Sequence, residues 1–215
     1  AAKMKQIDIE TWKRKEHFKH FCSLDDPYWG ISTALDCAAT LQAAKESGES
    51  FFLHYLHKSL IAANRVEELR LRIIDGKVYC FDHINGSATV LRPDETFGCC
   101  FIEFFDNFKT FATEAAKNIE QTRSCSGMCL DQNNRVDQIY YSSIPWQHFT
   151  GLTYSKSLNS EDSVPRITFG KVQQQGEKQM LPVAIQVHHG LVDGLHVARF
   201  LEHFQKLLEA SDPGL

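Results

Sequence analysis

The chain has 215 residues, of which 43% are hydrophobic and 23% are charged, and its formal net charge at pH 7 is −4. This length and composition predict one globular domain, residues 1–215, with a substantial apolar core. The 23 basic residues against 27 acidic ones, with no basic stripe, argue against binding to a phosphate backbone, so we expect no nucleic-acid partner.

Membrane and disulfide signals are both weak in this sequence. No apolar stretch approaches the ~18–20 residues that span a bilayer, and charged residues interrupt the first ten positions, where a secretory leader would need an apolar run. The seven cysteines are odd in number and form no C-x-x-C pair, which does not indicate a disulfide framework. We therefore expect a cytoplasmic protein with reduced thiols and no membrane partner.

Periodicity and turn residues predict alternating strands and helices over the first two thirds of the chain. Thr11 is predicted to cap a helix that runs through Phe18. Asp75 and Gly76 supply the positive φ angles of a tight hairpin turn. Strands are predicted at Lys5–Ile9, Tyr28–Leu35, Leu69–Ile74, Val78–Phe81, Thr89–Leu91, Cys99–Phe105 and Gln138–Ser143, and helices at Ala38–Lys45, Phe51–Asn64 and Asp106–Gln121.

The last third has the clearest pattern. Apolar strands at Arg166–Gln173 and Met180–His188 flank a polar hairpin, and Gly190 and Gly194 then allow a tight turn into a helix. The apolar positions of this helix keep helical spacing at Leu195, Ala198, Leu201, Phe204 and Leu208. Helices mixed with several antiparallel hairpins predict an α/β fold, a two-layer sandwich in which helices cover a mixed, largely antiparallel sheet.

Two adjacent histidines, His188 and His189, end the last predicted strand, and Asp193 follows four residues after the second. A histidine at the junction of two rigid elements is held in place and accepts a proton near neutral pH. Asp193 could orient the imidazole or cap the next helix. On residue chemistry alone, His189 could be a general base, a buried core residue or a metal ligand, although a zinc site lacks an obvious third ligand.

Four segments resemble the chloramphenicol acetyltransferase family, and the resemblance covers about residues 5 to 208. W-K-R-K-E-H-F at Trp12–Phe18 resembles that family's W-x-R-[KR]-E-H-F, and S-S-I-P-W at Ser142–Trp146 resembles its S-x-x-P-W. P-R-I-T-F-G-K at Pro165–Lys171 resembles P-x-x-T-M-[AG]-K. The run from Leu181 to Arg199 resembles L-P-L-x-x-Q-V-H-H-A-V-C-D-G-F-H-V-x-R.

The resemblance implies an acetyl-CoA-dependent O-acetyltransferase that acts on a chloramphenicol hydroxyl, confers antibiotic resistance and needs no metal. It makes His189 the general base and Ser142 the donor to the tetrahedral oxyanion. Thr168 would help to bind the intermediate through water. No acyl-enzyme is implied, because both substrates are held together.

The resemblance also implies supporting roles around this site. Asp193 would form a largely buried ion pair with Arg14, which would fasten the first helix to the catalytic turn, rather than act as a triad partner. Phe21, Leu152 and Tyr154 would line the antibiotic pocket, the last two in place of the family's usual Phe and Leu. Two further departures are Gly190, where Ala is usual, and Val172, where a tyrosine would help to hold the adenine of CoA.

The family is a homotrimer with active sites between subunits, which implies the same for this chain. His189 would come from one subunit, and Ser142, Thr168 and Phe21 would come from its neighbour. Each subunit would then depend on the contact for activity.

Two other functions stay open. The acyltransferase core of a 2-oxo acid dehydrogenase complex shares the H-H-x-x-x-D-G motif, but its lipoyl segments and Ala/Pro-rich linkers do not occur in this sequence. A related acyltransferase could also act on another hydroxyl or thiol acceptor. A binding module that keeps the fold without the chemistry is disfavoured, because His189, Ser142, Thr168 and Asp193 are all present.

Overall fold

A computed structural model describes residues 2–131, 134–158 and 161–210. Its helices are α1 (Lys15–Cys22), α2 (Ala38–Ser47), α3 (Phe51–Asn64), α4 (Phe108–Ser124) and α5 (Gly194–Glu209). Its strands are β1 (Met4–Ile7), β2 (Tyr28–Asp36), β3 (Leu71–Ile74), β4 (Lys77–Phe81), β5 (Asn85–Leu91), β6 (Phe97–Ile102), β7 (Gln138–Ile144), β8 (Arg166–Gly170), β9 (Gln173–Gln175) and β10 (Lys178–His188). None of the described helices is both long enough and apolar enough to cross a bilayer.

The described strands form two sheets. The larger has the order β2-β10-β8-β7-β5-β6, with β9 paired to the start of β10, and the smaller has the order β1-β4-β3. In the larger sheet β7 runs parallel to β5 and β8, whereas the other neighbours are antiparallel. Together with five helices, this arrangement confirms the predicted α/β fold with a mixed, largely antiparallel sheet.

Local chemistry accounts for several element ends. Asp75 and Gly76 have φ angles of 50° and 72°, as the predicted β3–β4 hairpin requires. Ser50 caps α3 by accepting from the backbone N–H of Leu53, and Asn107 caps α4 in the same way. These caps satisfy amide donors that have no partner inside the helix.

The two faces of β10 have different environments. Leu181, Val183, Ile185 and Val187 belong to the apolar core. Because side chains alternate along a strand, Ala184 points to the opposite face of the sheet. That face is the one on which the candidate site is built. All seven cysteines are free thiols, as predicted.

The prediction that Thr11 caps the first helix is wrong. Helix α1 begins at Lys15 with Arg14 as its N-cap residue. A turn in which the backbone N–H of Trp12 donates to the carbonyl of Ile9 separates Thr11 from the helix. The Thr11 hydroxyl donates instead to the Asp8 carboxylate, at 3.2 Å.

The prediction of one strand over Arg166–Gln173 is also wrong, because β8 ends at Gly170. The backbone N–H of Lys171 donates to the carbonyl of Gln147 at 2.8 Å. The segment that follows β7 therefore packs against the chain at the end of β8. A Cβ atom on Gly170 would lie only 2.9 Å from that carbonyl oxygen. This packing therefore interrupts the strand and requires glycine.

Helix α5 is confirmed, but only part of its predicted apolar face is buried, at Phe204 and Leu208. Leu195 is 59% exposed and Ala198 is exposed as well. The buried residues are His196, Val197, Phe200, Phe204, Leu207 and Leu208. The backbone N–H of Asp193 donates to Nδ1 of His196, which turns His196 inward and rotates Leu195 to the surface.

Candidate active site

His189 lies in the turn between β10 and α5. Its backbone N–H donates to the carbonyl of Pro27 at 2.8 Å, which ties the turn to the start of β2. Its imidazole stacks on Phe21, with ring centroids 3.8 Å apart and planes 4° from parallel, and the Trp29 ring centroid lies 5.5 Å away. The side chain keeps 32% of its surface exposed, so a substrate can reach the ring.

The predicted ion pair between Arg14 and Asp193 is present. Nη1 of Arg14 lies 2.5 Å from Oδ2 of Asp193, and Nη2 lies 3.0 Å from Oδ1. Nη2 also donates to the carbonyls of His189 and Gly190, at 3.1 and 3.4 Å. Arg14 is buried, and its hydrogen bonds lower the pKa of the Asp193 carboxyl. One guanidinium thus fastens the start of α1 to the turn that holds His189.

The expectation that Phe21 comes from a neighbouring subunit is wrong. Phe21 stacks on His189 of its own chain. It lies in the last turn of α1, and Arg14 at the first turn of that helix is bound to Asp193. The ion pair therefore positions the whole helix so that Phe21 covers the imidazole.

Asp193 does not hydrogen-bond to the His189 imidazole. Its Oδ1 lies 3.2 Å from Nδ1 of His189, but the two groups are not aligned for a hydrogen bond, and Nδ1 is buried with no partner among the described residues. Asp193 is the N-cap residue of α5. Asp193 could orient the imidazole or cap the helix that follows, and the structure favours the second role, which holds the turn in place.

His188 and His189 have different environments. His188 is 5% exposed, and burial lowers its pKa to about 4, which keeps the ring uncharged at neutral pH. Its Nδ1 accepts from the backbone N–H of Gly190 at 3.0 Å. A Cβ atom on Gly190 would lie 2.9 Å from the His188 ring, so glycine matches this close packing. His188 supports the turn, and His189 faces the surface.

Two residues that the sequence patterns do not identify also support this turn. Trp29 donates from its indole nitrogen to the carbonyl of Val192 at 2.9 Å. His196 accepts from the backbone of Asp193, and its Nε2 lies 3.3 Å from Oε1 of Glu68. Trp29 is distant from the turn in sequence, so no local pattern connects the two. The only sequence feature that points to His196 is its position in the motif.

Ser142, Thr168 and Tyr154 form a cluster of hydroxyl groups on the sheet face opposite the core. Ser142 on β7 and Thr168 on β8 are paired in register, and their hydroxyl oxygens are 2.6 Å apart. The hydroxyl oxygen of Tyr154 lies 2.9 Å from Oγ1 of Thr168. Thr168 is 1% exposed. The cluster can present a hydroxyl donor to a substrate at the Ser142 end.

Two cavities lie near this part of the sheet, one on the face of the cluster and one on the face covered by helices. One of about 350 Å³ is lined by residues that include Leu152, Tyr154 and Gln186. The other, of about 640 Å³ and mainly apolar, lies between α3, α4 and the end of β7, with Phe52 and Ser143 in its wall. No group of three His, Cys, Asp or Glu side chains within the described chain is placed to hold a metal ion.

One chain does not bring His189 to the hydroxyl cluster. Ala184 lies opposite Thr168 across the β8–β10 pair, and His189 is five residues further along the chain. At about 3.3 Å per residue, this separation is about 16 Å. A base and an oxyanion donor must both lie within hydrogen-bond distance of the same reacting group.

The family of this chain follows from comparison with known proteins. A family model described as "Chloramphenicol acetyltransferase" matches residues 2–205. The chain belongs to the chloramphenicol acetyltransferase family. A chloramphenicol acetyltransferase of Campylobacter coli is 31% identical over 94% of this chain and 97% of its own length. One from Clostridium perfringens is 30% identical over 95% and 94% of the two chains.

Solved structures agree with this family assignment. A chloramphenicol acetyltransferase structure superimposes with a TM-score of 0.90 and 31% identity, covering 96% of this chain and all of the other. A probable dihydrolipoamide acetyltransferase from Listeria monocytogenes shares only the fold, with a TM-score of 0.64 and 15% identity over 95% and 94% of the two chains. The chloramphenicol acetyltransferase resemblance drawn from the sequence motifs is confirmed.

Proposed function

We propose that this family member is a chloramphenicol O-acetyltransferase with His189 as its general base. Family membership supports the reaction. The geometry of His189 is the observation that supports its role as the general base. Its ring is fixed by Phe21 and by the Arg14–Asp193 pair, Nδ1 is buried, and part of the ring is exposed. Nε2 is therefore the nitrogen that meets the substrate.

The reaction follows from these groups. Nε2 of His189 takes the proton from the chloramphenicol hydroxyl as the oxygen attacks the thioester carbonyl carbon of acetyl-CoA. Ser142 donates to the oxyanion of the tetrahedral intermediate. The carbon–sulfur bond then breaks, and the CoA thiolate recovers the proton from the imidazolium. The products are acetylated drug and CoA, with the base regenerated.

The smaller of the two cavities suits the drug. Leu152 and Tyr154, in the wall of the smaller cavity, and Phe21, against His189, would contact the drug. Because acetyl-CoA is the donor and the cysteines are free, we place the enzyme in the cytoplasm.

We further propose a homotrimer with each active site between two subunits. The distance of about 16 Å from Ala184 to His189 along one chain supports this, because a neighbour can supply the other half of the site. The outer edge of β2 supports it as well. Within the described residues no strand pairs with that edge, and its nine residues include Ile31, which is 40% exposed. A long apolar edge strand is a surface for pairing.

The first test is thiol release from acetyl-CoA, with and without chloramphenicol. We expect release that depends on the drug in the wild type, and a loss of at least a hundredfold in His189→Ala. His203→Ala, a histidine on α5 away from the turn, is the control and should keep full activity. A folded protein that binds CoA but releases no thiol with the drug would exclude chloramphenicol as the acceptor.

The second test asks whether one site uses two chains. His189→Ala and Ser142→Ala should each be inactive when refolded alone, and refolding them together should restore activity. In a random mixture about a quarter of the interfaces would pair an intact His189 with an intact Ser142. If mixed trimers, identified by light scattering, stay as inactive as the separate variants, each site lies within one chain.

A further inference from the structure

Tyr154 adds a third hydroxyl to the Ser142–Thr168 pair. Its oxygen lies 2.9 Å from Oγ1 of Thr168 and 3.3 Å from the carbonyl oxygen of Ala184. Thr168 is 1% exposed, so its hydroxyl depends on protein partners. Tyr154 follows β7 in an irregular segment, and its hydroxyl contacts both β8 and β10 of the sheet.

Each hydroxyl has only one proton to donate, which limits the possible arrangements. If Ser142 donates to Thr168, the buried Thr168 proton keeps an acceptor only when it points to Tyr154, whose own proton then turns to the Ala184 carbonyl. If Tyr154 donates to Thr168, then Thr168 donates to Ser142, and the Ser142 proton is free to point outward. Only the second arrangement leaves Ser142 able to stabilise an oxyanion.

Two observations favour the second arrangement. Tyr154 lies closer to Thr168 than to the Ala184 carbonyl, by 2.9 against 3.3 Å. A phenol is also a stronger acid than an aliphatic alcohol, so a tyrosine beside a threonine is the better donor of the two. Burial raises the pKa of Tyr154 to about 12, which keeps its proton in place over the pH range of acetyl transfer.

We propose that Tyr154 is a positioning residue for acetyl transfer, which donates to Thr168 so that Thr168 donates to Ser142 and the Ser142 proton points to the oxyanion. This inference rests on the proposed function. It assigns the Tyr154 hydroxyl a task separate from lining the drug pocket. A chain of hydrogen bonds strengthens each of its members, and the effect is largest when its last acceptor is charged.

The test is Tyr154→Phe, which removes one oxygen and keeps the ring. Loss of a direct oxyanion donor costs about a hundred- to a thousandfold in kcat, and Tyr154 acts two links away, so we expect a loss of about tenfold. The KM for chloramphenicol should not change, because the lost contact acts on the transition state. Tyr79→Phe on β4, outside the site, is the matched control and should retain full kcat.

A double-mutant cycle separates this role from others. Thr168→Val should remove the chain at its middle link, so adding Tyr154→Phe to it should cost nothing more in kcat. Additive losses would overturn the proposal. A raised KM for the drug with unchanged kcat would overturn it too, since the hydroxyl would then bind substrate. Unchanged kcat and KM in Tyr154→Phe would also overturn the proposal.

The rate of acetyl-CoA hydrolysis is a third measurement, and it does not depend on whether chloramphenicol is the acceptor. Slow hydrolysis of acetyl-CoA without any drug forms an oxyanion at the same carbonyl carbon. Tyr154→Phe should lower this hydrolysis rate by a similar factor. If chloramphenicol is not acetylated by the wild type, the proposed function fails, and the hydrolysis rates still decide the role of Tyr154. Equal hydrolysis in the wild type and the variant would overturn it.

Discussion

Arg14 makes four hydrogen bonds through one guanidinium, two to Asp193 and two to the carbonyls of the turn. Lysine keeps the charge but cannot reproduce the planar fork. We therefore expect Arg14→Lys to lower kcat by at least tenfold and to lower the unfolding free energy by about 1–3 kcal/mol, because Asp193 and the carbonyls of the turn lose bonds to a charged donor. Steady-state kinetics and urea unfolding measure the two effects.

Arg199→Lys is the matched control for that change, because Arg199 is exposed on α5. It should leave kcat and stability unchanged. Full activity in Arg14→Lys would show that the turn holds His189 without the fork. Stacking on Phe21 and the Trp29 bond to Val192 would then be sufficient to position the imidazole.

The residues of the site differ in how readily the sequence predicts them. His189, Asp193, Ser142 and Thr168 lie inside contiguous motifs, so a linear pattern identifies them. Which subunit supplies Phe21 to the site, and which residue contacts the Tyr154 hydroxyl, depend on how distant segments pack. A family pattern records that position 154 lines a pocket, but only the fold places its hydroxyl 2.9 Å from Thr168.

At the scale of elements, periodicity predicts helices and hairpins well and their limits poorly. The β3–β4 hairpin depends on Asp75 and Gly76, so the sequence contains its cause. The end of β8 depends on Gln147, which is more than twenty residues earlier in the chain. The buried face of α5 depends on a hydrogen bond from Asp193 to His196 rather than on apolar spacing alone.

Arg72 is an element-scale feature that the hairpin pattern does not reveal. It lies on β3 and is fully buried, and it donates to the carbonyls of Leu69, Leu71, Val136 and Gln138 at 2.6–2.9 Å. It therefore links the small sheet to the start of β7. We expect Arg72→Leu to lower the unfolding free energy by about 3 kcal/mol, because buried carbonyls lose their donor.

Urea unfolding of Arg72→Leu tests this link, with Lys77→Leu as the control on the exposed end of β4. The control should change stability by less than about 0.5 kcal/mol. A loss below about 1 kcal/mol in Arg72→Leu would show that the carbonyls find other partners. Any fall in activity should disappear at temperatures where the variant is fully folded.

At the scale of the whole molecule, buried histidines set the response to acid. Burial lowers the pKa of His54, His57, His188 and His196, that of His188 to about 4. In the unfolded chain these rings take up protons at about pH 6.5. Between pH 6.5 and 4 the unfolded state therefore binds more protons, and the unfolding free energy falls as the pH falls.

We expect His188 alone to account for a loss of up to about 3 kcal/mol over that interval. The lowered pKa of Asp193 adds a second loss only at lower pH, where its carboxylate becomes protonated in the folded state. Urea midpoints at pH 7.5, 6 and 5 measure the first loss. In His188→Asn, whose side-chain oxygen can accept from the N–H of Gly190 as Nδ1 does, the decline should be shallower. An equal decline in both proteins would assign the acid response to the other histidines.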